Sequence, residues 1–123
     1  MIVDDLAQIL TGSGLAQGYT LQSIANPQAW QKTKRYILLR AAGAAGDRFV
    51  RNVTYQIHYI SAVNDLNVAG MQNDANELVN YLLTQNYATG CIINCALVLD
   101  ISGPYVLEDN RINVYFEISV ITQ

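Results

Sequence analysis

One histidine, two cysteines and ten scattered carboxylates are what this chain offers to catalysis or metal binding. His58 lies in "RNVTYQIHYIS", residues 51–61, among tyrosines and an arginine. A catalytic histidine needs a nucleophile or an orienting carboxylate within hydrogen-bond reach. The local sequence supplies neither, and Glu117, on the polar face of another expected strand, is the candidate neighbour. A metal centre needs further ligands, and there is no second histidine. His58 therefore reads as an exposed or interfacial strand residue, able to respond to pH because its reference pKa is close to neutrality.

The remaining candidates fall to spacing. Cys91 and Cys95 on one strand would sit roughly 13 Å apart at about 3.3 Å per residue, too far for a disulfide and wrong for shared zinc ligation. They read as small buried apolar residues. Gly43, Gly46, Asp47 and Arg48 lack the lysine and hydroxyl of a phosphate loop, and no helix follows them. Ser13 and Ser102 adjoin glycines outside any nucleophile-elbow pattern. The acids show no paired placement for glycosidase or metal work, and Asp109 is a turn residue within "EDNR". No catalytic residue, metal ligand or cofactor site is assigned, and no cofactor is expected.

The elements that carry these residues follow from periodicity. In "IVDDLAQILT" the residues Ile2, Leu6, Ile9 and Leu10 share a helical face, Asp4 and Asp5 favour its N-terminus, and Gly12 and Gly14 stop it. Residues 15–35 are irregular, because Asn26-Pro27 disfavours helix. "YILLRA", residues 36–41, reads as a short strand, and "AGAAGD", residues 42–47, as a flexible connection. From Phe49 to Ser61 alternation sets Val53, Tyr55, Ile57 and Tyr59 on one face, with Thr54, Gln56, His58 and Ile60 on the other.

A second helix is expected from about residue 69 to 85, its apolar stripe formed by Met71, Ala75, Leu78, Val79, Leu82 and Leu83. Residues 92–101 form a strand, "SGPY" and "LEDNR" hold turn formers, and "RINVYFEISVIT" alternates Ile112, Val114, Phe116, Ile118 and Val120 inward. The expected fold is α+β, a single domain over residues 1–123 in the order α-β-β-α-β-β. Its mostly antiparallel or mixed sheet carries both helices on one face.

Composition limits the partners. Charged residues make up only 14% and the net charge is −3, which argues against specific nucleic-acid binding. It leaves room for DNA passing through a mildly acidic pore. No apolar run reaches the length of a membrane span, and "MIVDDLAQIL" lacks a secretory pattern, so a soluble, cytoplasmically made chain is expected. Eight tyrosines stand against two phenylalanines and one tryptophan. Tyrosine joins apolar area to a polar tip, which suits surfaces that become partly buried on association.

The order of these segments carries a resemblance. An amino-terminal helix ending in glycine leads through "NPQAW" to "YILLRAAG", and the long "RFVRNVTYQIHYIS" strand follows. A helix then separates it from "GPYVLEDNRINVYFEISV", in which G-P-x-x-L-x-D-x-R precedes an aromatic alternating strand. Over nearly its whole length the chain resembles the tail terminator (tail completion, minor tail) proteins of long-tailed bacteriophages and prophages. The resemblance implies a homo-hexameric ring at the head-proximal end of the tail tube, in the virion tail, after assembly in the host cytoplasm. It implies contact with the major tail tube protein and a head-completion or connector protein, passage of DNA without specific binding, and no membrane. Asp47, Arg48 and Arg51 around the 42–51 loop, and Glu108, Asp109 and Arg111 at the last turn, are the candidate interface residues. Charges there would set register more than affinity. From a different class, the alternative is a small-ligand-binding or regulatory α+β domain with its pocket between helix and sheet.

Overall fold

The computed structural model describes residues 2–15, 17–23, 34–46, 51–63, 68–84, 92–107 and 110–122. Among them the elements run α1 (Ile2–Gly12), β1 (Tyr19–Ser23), β2 (Arg35–Gly46), β3 (Arg51–Ile60), α2 (Val68–Thr84), β4 (Ile92–Val106) and β5 (Ile112–Thr122). The α+β class holds, with a five-stranded sheet in the order β1-β2-β3-β5-β4. The β1–β2 pair is parallel and the other three pairs are antiparallel. The expected order lacked β1. Its five residues place Tyr19 and Leu21 toward the core, both only partly buried, so the strand shows little of the apolar run that marks a longer one.

The second departure is in β2. Residues 42–46, expected as a flexible connection, continue the strand after a bulge between Ala41 and Gly43, and Gly46 pairs with Arg51. Alanine and glycine have little intrinsic preference for strands. Here the neighbouring β3 needs partners for its backbone N–H and C=O groups, and a ladder supplies them whatever the side chains are.

The core lies between the sheet and the helices. Leu6 and Leu10 of α1, with Met71, Ala75, Leu78, Val79 and Leu82 of α2, pack in one cluster with Ile37, Leu39, Val53, Tyr55, Ile57 and Tyr59. Val114, Phe116, Ile118 and Val120 of β5 complete it, as their alternation predicts. Burying each large apolar side chain is worth about 1.5–3 kcal/mol. Leu83, expected in the α2 stripe, is instead exposed in the last turn of that helix.

Polar groups fix the ends of these elements. Ser61 Oγ accepts a hydrogen bond from Ile112 N at 2.8 Å, while Ser61 N donates to Ile112 O at 2.9 Å, prolonging the β3–β5 ladder. The Tyr19 hydroxyl donates to Asp74 Oδ2 at 2.8 Å, tying β1 to α2. Burial, reinforced by that carboxylate, pushes the Tyr19 pKa well above the ordinary phenol value. At the start of β5, Leu107 N donates to Arg111 O and Asn110 N to Leu107 O, closing the β4–β5 hairpin with Asn110 at φ 67°. The hairpin thus closes between Leu107 and Arg111, whereas "SGPY", also expected as a turn, lies within β4 and contains a cis Gly103-Pro104 bond.

Candidate functional site

The sheet face away from the helices is where polar and aromatic side chains gather. Strand register sets them in three lateral rows: Arg40, Gln56, Glu117 and Leu99; Leu38, His58, Tyr115 and Ser102; Tyr36, Ile60, Asn113 and Tyr105. Cross-strand neighbours of this kind stand about 4.5–5.5 Å apart at Cβ, so each row forms a contact chain. Tyr36, Leu38 and Ile60 form a small second core on this face with Leu107 packed against it.

The middle row is the most organised. His58 stacks on Tyr115 with ring centroids 4.9 Å apart and planes 22° apart, and Tyr115 lies 6.0 Å from the Tyr105 ring. The Tyr105 hydroxyl is 2.6 Å from Ser102 Oγ. Gln56 Nε2 donates to Glu117 Oε1 at 2.7 Å, which leaves Gln56 Oε1 facing His58 Nε2 at 3.1 Å. His58 Nδ1 is 3.3 Å from Asn113 Oδ1.

Burial is the main influence on His58 and holds its pKa below the ordinary imidazole value. The Asn113 contact opposes that effect, Arg40 adds to it, and Glu117 opposes it. The expected neighbour Glu117 does lie one row away, but Gln56 holds its carboxylate. The histidine contacts are two amides and a tyrosine ring, an arrangement that organises a surface and contains no activated nucleophile. Cys95 is buried, matching its expected packing role, while Cys91 lies outside the described residues. Among the described residues no group of three or more metal-ligating side chains converges.

Of the candidate interface charges, Asp47, Arg48, Glu108 and Asp109 lie outside the described residues. Arg51 opens β3 opposite Gly46 and Thr122, and Arg111 precedes the other end of β5, so the two arginines occupy opposite ends of the sheet. Arg111 is only 7% exposed. Arg111 is thus a buried residue and not the solvated turn charge that its place after "EDN" suggests, and reversing its charge would not leave the fold intact. A glutamate there would bury a carboxylate, and that disturbs folding before it can report on an interface.

Sequence reasoning found a strand over residues 92–101 but missed that β4 runs on to Val106 and lies at the exposed edge of the sheet. Four register shifts separate it from β5, leaving Leu97, Val98, Leu99, Tyr105 and Val106 exposed. The unbroken apolar run "ALVL", where the polar-out alternation of a half-buried strand should be, was the available signal. The space between helices and sheet, where a ligand pocket was the alternative, is occupied by the described core side chains.

No curated protein matches the chain. A family model described as phage tail termination protein matches residues 1–123. The chain belongs to that family, one of structural proteins of phage tails.

Proposed function

We propose that copies of this chain close into a homo-hexameric ring at the head-proximal end of the phage tail tube. The ring stops tube polymerisation and offers the surface that joins the filled head. Family membership across residues 1–123 carries this reading. The sheet supports it, because a half-buried row of tyrosine, histidine and amide side chains beside an apolar edge suits association better than chemistry. One side of the ring meets the major tail tube protein, and the other meets a head-completion or connector protein. DNA passes through the lumen without specific binding, in keeping with a net charge of −3. The chain assembles in the host cytoplasm and ends in the virion tail.

Two measurements test the reading together. Light scattering with negative-stain imaging of the purified chain should give the mass and outline of a six-membered annulus. A phage unable to make the chain should produce tails of uncontrolled length that fail to join heads. A compact monomer, combined with tails of normal length and normal infectious yield, would sink the proposal.

A further inference from the structure

We infer that the exposed edge of β4 seats the neighbouring copy of this chain, and that the surface it meets is the β1–β2 side of the next sheet. The inference rests on the proposed ring. Val98 is 55% exposed, Leu99 39%, Tyr105 47% and Val106 70%, on a strand that among the described residues is paired on one side. Proteins usually guard such edges with lysine, inward charge, proline or bulges, because open N–H and C=O groups recruit further strands. From Ile92 to Val106 there is no lysine or arginine, and Asp100 is the one charge. Pro104 and the bulges interrupt this edge, but residues 96–100 are exposed one after another with no proline or lysine among them, and their apolar side chains stay in water.

The bulges explain how apolar side chains reach this position. Leu97 pairs with Ile118 on the core face and Leu99 with Glu117 on the opposite face, which leaves Val98 as the extra residue between them. The slip breaks the alternation that would have buried every second side chain. Leu97, Val98 and Leu99 consequently wrap the edge instead of filling the core. Tyr105 joins this edge to the aromatic row through Tyr115, so the apolar strip continues onto the sheet face.

The occupant follows from charge and position. Residues 34–46 and β1 contain no acid, and Lys34 and Arg40 are exposed there, while among the described residues the carboxylate against β1, that of Asp74 in α2, is taken up by the Tyr19 hydroxyl. The β4 side offers Asp100, also exposed. Four strand spacings of about 4.8 Å separate the two sides by roughly 19 Å, so they face away from each other across the subunit. A self-complementary pair would demand one patch meeting its own copy. An apolar, acid-bearing side and a basic side at opposite limits of one sheet instead suit the head-to-tail contact of a ring.

The test uses the full chain, followed by mass photometry over a concentration series and by far-ultraviolet circular dichroism. Val98→Lys and Val106→Lys should each weaken association at least tenfold while retaining the wild-type spectrum, since both side chains already face solvent. Asp100→Lys should weaken it as well, and adding Arg40→Asp to that variant should restore it. In wild-type rings the amides of residues 96–100 should exchange more slowly than in the chain diluted to monomer, a readout that needs no variant. Rings that form but are indifferent to Val98→Lys and Val106→Lys, or whose 96–100 amides exchange as in the monomer, would overturn the edge assignment and leave the ring standing. Failure of the charge exchange to restore assembly would overturn the β1–β2 side as its partner surface. A wild-type chain that stays monomeric at high concentration would overturn both the ring and this contact.

Discussion

His58 shows how a lone titratable residue can organise a surface without catalysing anything. Its ring is stacked on Tyr115 and bracketed by Gln56 and Asn113, with Arg40 and Glu117 as the nearest charges. Because burial depresses its folded pKa below 6.5, the unfolded chain takes up the proton more readily. By linkage the neutral ring contributes its full share of stability above the unfolded value, and that share is lost as pH falls through the folded one. The melting temperature of the wild-type chain should therefore drop more steeply than that of His58→Gln between about pH 7.5 and 5. Parallel curves would remove the imidazole as the source. The sequence placed this residue correctly on the polar face, because strand alternation alone decides that. Its ring partner Tyr115 and its amide contact Asn113 come from β5, more than fifty positions away, and strand register, which the sequence left open, brings them together.

At the scale of the element, β4 is held to β5 by a backbone that only one residue type tolerates. Gly103 has φ 117°, and a Cβ added there would stand 2.8 Å from the backbone oxygen of Asn113. That oxygen belongs to the ladder and cannot swing aside as a side chain would. Gly103→Ala should cost on the order of 1–3 kcal/mol, measurable by urea denaturation, and a loss below the scatter of replicate curves would refute the close approach. Strands β3 and β5 were legible because Val53 to Tyr59 and Val114 to Val120 alternate without interruption. The distal half of β2 was not, since its alanines and glycines are strand residues only by virtue of what lies beside them. Nor was the hairpin side of Arg111 legible: a charged residue after "EDN" looks solvated until its 7% exposure is seen. The exposure of Leu97 to Leu99 was hidden for a related reason, because a bulge changes which side a residue takes while leaving composition untouched.

For the whole molecule, stability and association should be coupled. A ring buries surface that the isolated chain leaves in water, and whatever binds only the folded form stabilises it by mass action. The melting temperature should thus rise with protein concentration in the wild type and lose that dependence in Val98→Lys. A wild-type value unchanged over a hundredfold dilution series would argue against assembly near the transition. Fold class and helix placement were both readable from periodicity. The number of strands and the exposed edge were not, because both depend on pairing between distant segments.

The sheet order also has a kinetic meaning. Its central seam joins β3 to β5, with Gln56 and Glu117 separated by 61 positions, while β2–β3 and β4–β5 are each neighbours along the chain. Closing a long loop costs conformational entropy that short hairpins avoid. The two hairpins are therefore the pairings of lower closure cost, and the β3–β5 seam is the costlier one. Because β5 is the last element in the chain, β3 acquires its second neighbour only when the final strand has been synthesised.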